Sequence, residues 1–207
     1  MTDFKNPPDV IVGRLPLYLR ALQQLAAQNC QVTSSQELAE HLGLSAAQIR
    51  KDLSQFGEFG KQGTGYPVQA LSHRLKAILH VDRVWDIAVI GAGDVGHAIA
   101  RYPGLANRGF RVAMIFDNDP AKVGGQIGPY TIQDSAQMIA IIRQAGIRVA
   151  MIAVPEAHAQ AVADQLVEAG VRAILNYAPI SLNVPPGVQV QYIDPVVPLQ
   201  KMAYYLE

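Results

Sequence analysis

The stretch DIAVIGAGDVGHAIARY, residues 86–102, decides the fold of the larger part of this chain. A short apolar run ends in Gly91-Ala92-Gly93-Asp94-Val95-Gly96 and passes directly into a helical pattern. A GxGxxG run by itself is a weak signal. Set between a strand and a helix, it has the context that a dinucleotide-binding turn requires. Gly91 makes the turn, Gly93 lets a pyrophosphate approach the backbone, and Gly96 lets the helix pack on the sheet. The start of the helix supplies free N–H groups and a partial positive charge for phosphates. Asp117 closes the next strand, 21 residues after Gly96. Its carboxylate would accept from the ribose hydroxyls and repel a 2′-phosphate, so the expected cofactor is NAD(H) and not NADP(H).

Downstream, more strand-like runs follow: RVAMIF (111–116), RVAMIAV (148–154), RAILN (172–176) and VQVQYI (188–193). Alternation of such runs with helical patterns predicts βαβ units and a parallel sheet. Val154 and Pro155 end the strand that lies across the switch point of such a sheet, where the nicotinamide half of a dinucleotide usually sits. Glu156 and His158 invite an acid–base reading. His158, however, stands in an Ala-rich helix start with no partner in view and reads as a surface histidine. No catalytic residue and no metal ligand set is expected.

Upstream of about residue 80 the texture changes to helical spacing. Leu15, Leu19, Leu22 and Ala26 form one apolar stripe, with Pro16 tolerated in the first turn. Ser34 with Glu37, and Ser45 with Gln48, predict two capped helices with capping boxes. Gly43 between them suits a left-handed turn, and Leu44 with Ile49 a hydrophobic staple. Two helices so joined are a helix-turn-helix. The second would bury Ile49, Leu53 and Phe56 and show Gln48, Arg50, Lys51, Asp52, Ser54 and Gln55 to the outside. Those polar types suit phosphates and base edges, and equally a solvated helix face. Beyond them, GEFGKQGTGYPV (57–68) brings Gly60 and Lys61 into a Gly-rich stretch that reads as a wing able to enter a minor groove, or simply as a flexible hairpin. The domains are read as 1–80, a winged-helix DNA-binding domain, and 81–207, a Rossmann NAD(H)-binding domain.

Composition agrees with a folded, cytoplasmic protein. Of 207 residues, 50% are apolar and 16% charged, enough to bury a core. The formal net charge is zero, so DNA as a partner is argued from the placement of charges and not from their sum. No apolar run is long enough for a membrane span, and the start of the chain lacks a signal-peptide pattern. The single cysteine, Cys30, excludes an internal disulfide and a cysteine-based zinc cluster.

Taken together, QIRKDLSQFGEFGKQGTGYPV (48–68), VIGAGDVGHAIARYPG (89–104), FDND (116–119), AVPEAHA (153–159), LNYAP (175–179) and YIDP (192–195) resemble the redox-sensing transcriptional repressors of the Rex family. The resemblance covers essentially the whole chain. It implies a winged helix joined to a Rossmann domain, a homodimer with a swapped C-terminal helix, binding to an inverted-repeat operator, and release by NADH. Carried over by position, it implies Arg50, Lys51 and Ser54 on the recognition helix and Lys61 on the wing. Tyr102 matches a tyrosine that reports the nicotinamide state. Asp194 matches an aspartate near the swapped helix, and Arg14 an arginine that pairs with it across subunits. Three positions depart from the pattern: Gln62 where a second basic residue is common, Tyr177 for Phe, and Pro195 for a large apolar residue. The alternatives are a small NAD-dependent dehydrogenase, a CoA-binding domain like that of acyl-CoA ligases, and a ligand-free adaptor. A helix-turn-helix leaves little chain for a dehydrogenase's substrate domain, and neither enzyme needs one.

Overall fold

The computed structural model describes residues 7–59 and 64–206, so the expected wing residues Gly60, Lys61 and Gln62 lie outside the described residues. The chain divides into two units, Met1–Arg83 and Val84–Glu207, three residues past the boundary read from sequence.

In the first unit, α1 (Asp9–Val12) and α2 (Leu15–Ala27) precede a two-residue strand β1 (Val32–Thr33). Then come α3 (Ser35–Leu42), α4 (Ala46–Ser54), β2 (Tyr66–Pro67) and α5 (Val68–Ile78). The caps are where the sequence puts them. Ser34 Oγ accepts from the N–H of Glu37 and Ser45 Oγ from that of Gln48, while Gly43 takes φ 64° between the helices. Neither cap is reciprocal. The Glu37 carboxylate accepts from Thr33 Oγ1 and the Gln48 amide donates to Asp52, so each capping box closes on one side only. β2 pairs antiparallel with β1, Thr33 opposite Tyr66. The second arm of the Gly-rich stretch is thus held by the strand ahead of α3. Leu15, Tyr18, Leu22, Leu38, Ile49, Leu53, Phe56, Leu71 and Leu75 form the core.

The second unit carries one seven-stranded sheet in the order β5-β6-β4-β3-β7-β8-β9. Its strands are β3 (Trp85–Ile90), β4 (Phe110–Asp117), β5 (Gln126–Ile127), β6 (Tyr130–Asp134), β7 (Val149–Ile152), β8 (Ala173–Asn176) and β9 (Gln189–Tyr192). All pairings are parallel except β5 with β6. Strand order therefore reverses between β3 and β7, the doubly wound arrangement. Along β3 the side chains alternate: Ile87 and Val89 pack under α6 (Asp94–Ala100), and Ala88 and Ile90 under α7 (Met138–Ala145) and α8 (Glu156–Ala169). The fully buried Ala159 and Ala163 give α8 a small-residue face toward the sheet. The sequence reading missed β5 and β6. They are short and half polar, and they precede α7, the helix expected between β4 and β7. The last helix, α9 (Val196–Ala203), buries none of its residues in the chain.

Candidate functional site

The expected dinucleotide turn lies at the carboxyl ends of β3 and β7. Gly91 takes φ 104°, and a side chain there would begin 2.4 Å from the carbonyl oxygen of Ala153 on the neighbouring strand. At Gly96 a Cβ would lie 1.9 Å from the carbonyl oxygen of Gly91, so the helix can sit this close only without a side chain. Gly93 is the contrast: nothing lies within 4 Å of where its Cβ would be. Protein packing explains the first and third glycines. Open space at the second is what an approaching ligand needs.

A cleft of about 540 Å³ opens there, lined by Gly91, Gly93, Asp117, Val154 and Pro155 among others. Asp117 is only 6% exposed. Its Oδ2 accepts from the Ala92 N–H at 2.7 Å and from Lys122 Nζ at 3.3 Å; its Oδ1 accepts from the Asp119 N–H at 2.9 Å. Burial pushes its carboxyl up, but the backbone donors and Lys122 outweigh this and hold it below the usual carboxylate range. Asp117 thus clamps the glycine loop to the turn after β4, a task beyond the sugar contact read from sequence. Lys122 and His158 also line the cleft. His158 is exposed, yet at the mouth of the cleft and not on an unrelated surface. Its place at the start of the helix leaving β7, beside the switch point, was the available signal.

A second, more apolar hollow of about 980 Å³ is lined in part by α6. It gathers Val95, Tyr102, Tyr177 and Asp194. Tyr102 and Asp194 of one chain thus line the same hollow. The Tyr102 ring lies over Gly104, where a Cβ would come within 2.6 Å of it. Asp194 Oδ1 accepts from the Val196 N–H at 2.8 Å, in the turn that leads into α9.

In the first unit α4 shows Ser45, Arg50, Lys51 and Ser54 to solvent. Arg50 donates to Ser35 Oγ at 2.8 Å, and Ser54 Oγ to the carbonyl of Lys51. Two residues depart from the expected outer face. Gln48 is half-buried, and Asp52 is fully buried against α2. Asp52 accepts from Arg14 Nε at 2.6 Å and Nη2 at 2.8 Å, from the Tyr18 hydroxyl, and from Gln48 Nε2 at 2.6 Å. Asp52 follows Ile49 by three and precedes Phe56 by four, which places it on the core stripe. That spacing could have identified it. Burial raises its carboxyl, but these donors hold it below the usual range. Burial first, then the neighbouring carboxylate, push the Tyr18 hydroxyl up to about 12. The hydrogen bond to Asp52 raises Arg14 further above its ordinary value. Arg14 was expected to meet Asp194 across subunits; within the chain Asp52 holds its guanidinium.

Among the described residues no cluster of three or more His, Cys, Asp or Glu side chains is placed to hold a metal ion. Nor is any helix among them long and apolar enough to cross a membrane.

Residues 7–54 match the family described as "Putative DNA-binding protein N-terminus", and residues 82–180 the one described as "CoA binding domain". Over 200 residues the chain is 54% identical to the redox-sensing transcriptional repressor Rex of Chloroflexus aurantiacus, covering 97% of this chain and 94% of that one. To the protein of the same name in Streptomyces coelicolor it is 41% identical, over 99% of this chain and 79% of the other. Among solved structures, a Rex-family repressor in complex with NAD⁺ and operator DNA superimposes with a TM-score of 0.92 at 37% identity, covering 98% and 93% of the two chains. The same repressor in complex with NADH gives 0.89 at 35% identity, covering 98% and 95%.

Proposed function

The chain belongs to the Rex family of redox-sensing transcriptional repressors, and from that premise we propose that it binds operator DNA through its first unit and NAD(H) through its second, acting as a regulator and not as an enzyme. One observation carries the reading. A capped helix-turn-helix with a cationic exposed face and a glycine-lined cleft closed by a buried aspartate are joined in one chain, along which named repressors align almost end to end.

The residues proposed to hold the dinucleotide are Gly91, Ala92, Gly93, Asp94, Val95, Gly96, Asp117, Val154 and Pro155. The open space at Gly93 supports a phosphate approach there. NADH and NAD⁺ share everything but the nicotinamide ring, so groups meeting only the adenosine or pyrophosphate cannot separate them. Tyr102 is proposed at the nicotinamide end, where discrimination must arise. On the DNA side, Ser45, Gln48, Arg50, Lys51 and Ser54 belong to the proposed interface, with Gly60 and Lys61 completing it from outside the described residues. An inverted-repeat operator and a homodimer go together by symmetry. The dimer is supported by α9 and its tail: Val197, Leu199, Met202, Tyr204, Tyr205 and Leu206 are each at least 59% exposed, an apolar surface larger than a lone chain ordinarily leaves in water. A DNA partner also favours the cytoplasm as its location.

In the switch proposed here, Arg14 leaves Asp52 to pair with Asp194 of a second subunit in one of two states, tying the two units together. A gel-shift titration on an inverted-repeat operator tests the whole reading. Retardation that NADH abolishes and NAD⁺ leaves intact is expected. Retardation indifferent to both nucleotides would sink it.

A further inference from the structure

Asp52 belongs to α4 but not to its outer face. A carboxylate has about four acceptor positions and no donor when ionised. All four are taken here, by two N–H groups of Arg14, the Tyr18 hydroxyl and the Gln48 amide. Arg14 and Tyr18 lie on or beside α2, 38 and 34 residues away along the chain, so the cluster ties the rotation of α4 to α2. It also settles how Gln48 is turned. Facing an acceptor-only group at 2.6 Å, the amide must present its nitrogen, because the flipped amide would set two oxygens against each other. Resting on the reading of α4 as the recognition helix, we infer that Asp52 is a positioning residue that fixes α4 on α2 and holds the Gln48 amide with nitrogen inward and oxygen outward, so that position 48 offers a base edge an acceptor.

The consequence is a single presentation of what Gln48 reads. A glutamine pairs with adenine through two bonds, using its oxygen and one N–H together. The amide nitrogen has two N–H donors, and giving one to Asp52 leaves Oε1 and the second N–H, the pair that adenine answers, held in one orientation. One position of the recognition site should then select adenine on one strand, and the selection should depend on the partners that hold Asp52.

The test is selection of duplexes from a randomised pool by the full-length protein without nucleotide, with NADH binding and thermal unfolding recorded for each variant. In the wild type, one position should select adenine on one strand about tenfold over the other three bases. Gln48→Met keeps the stem and loses the amide; it should bring that ratio to about one and leave the other positions unchanged. Tyr18→Phe, which returns one acceptor position on Asp52, should lower the ratio severalfold at the same position while NADH binding stays as in the wild type. Arg50→Ala serves as the control for the helix. A position erased by Gln48→Met that selects cytosine, guanine or thymine overturns the inference, as does an unchanged pattern in Tyr18→Phe. If Arg50→Ala alters selection and Gln48→Met does not, the inference falls and the recognition helix stands. If neither alters it, both fall.

Discussion

Each unit of the chain buries one carboxylate near its proposed ligand surface, and the two are held in different ways. Asp117 is kept ionised largely by backbone N–H groups, those of Ala92 and Asp119, with Lys122 five residues on. Asp52 is kept ionised entirely by side chains, two of which come from a different part of the chain. A carboxylate held by the backbone of a motif is specified wherever the motif is. One held by distant side chains exists only once the helices have packed. The first should tolerate changes to neighbouring side chains, and the second should fail when one partner is cut.

The sharpest way to probe the first kind of site is through the glycines that build it. Gly96→Ala would force a Cβ to 1.9 Å from a carbonyl oxygen, and the second unit should lose about 3 kcal/mol or more, seen as a large drop in its thermal midpoint. Gly93→Ala meets nothing within 4 Å; its stability should move by no more than about 1 kcal/mol while NADH affinity falls. Equal loss of stability in both would remove the distinction between packing glycine and ligand glycine.

Next in size is Arg14→Ala. It leaves the Asp52 carboxylate buried with a hydroxyl and one amide for partners, and denaturant unfolding should show about 2–3 kcal/mol lost from the first unit, the upper range for a broken buried pair being discounted because Arg14 is 21% exposed. An unchanged midpoint would mean the cluster is not a unit.

Asp117→Ala should weaken NADH and narrow the gap to NADPH by about tenfold, or roughly 1.4 kcal/mol. Fluorescence titration with both nucleotides measures it, and a wild type that binds NADPH as tightly as NADH refutes the specificity assigned to Asp117.

The smallest effects are in pH. Asp52 and Asp117 both sit below the ordinary value of 3.8, so the stability they contribute is present above that pH and lost as pH falls through their lower folded values. Tyr18 has the opposite sign. Its hydroxyl rises from 10.0 to about 12, so its contribution is full below pH 10 and is lost as pH climbs from 10 toward 12. Unfolding followed across that range should show the first unit weakening ahead of the second, and Tyr18→Phe should flatten its profile.

How much of this was legible in the sequence depended on the range of the interaction. Ser34, Gly43 and Ser45 were readable as helix boundaries because a cap is satisfied within three residues. The GxGxxG turn was readable for the same reason, since its glycines answer constraints of a single strand–turn–helix. Asp52 was misplaced because it was assigned by polarity, and it occupies a core position that an acid can hold only when donors converge on it. His158 was set aside because no neighbour in sequence partners it, although its place after β7 pointed to the switch point; Gly91 and Asp117, which share its cleft, lie at the ends of other strands.

The order of the local pieces, the helix-turn-helix, the glycine turn and the acid closing the following strand, was thus determined by residues acting on near neighbours. Tertiary structure alone decided which carboxylate Arg14 meets, that Asp52 is buried, that Tyr102 and Asp194 share one hollow, and that β6 pairs beside β4. Those outcomes turn on desolvation and on groups arriving from tens of residues away, and neither exists until the chain has packed.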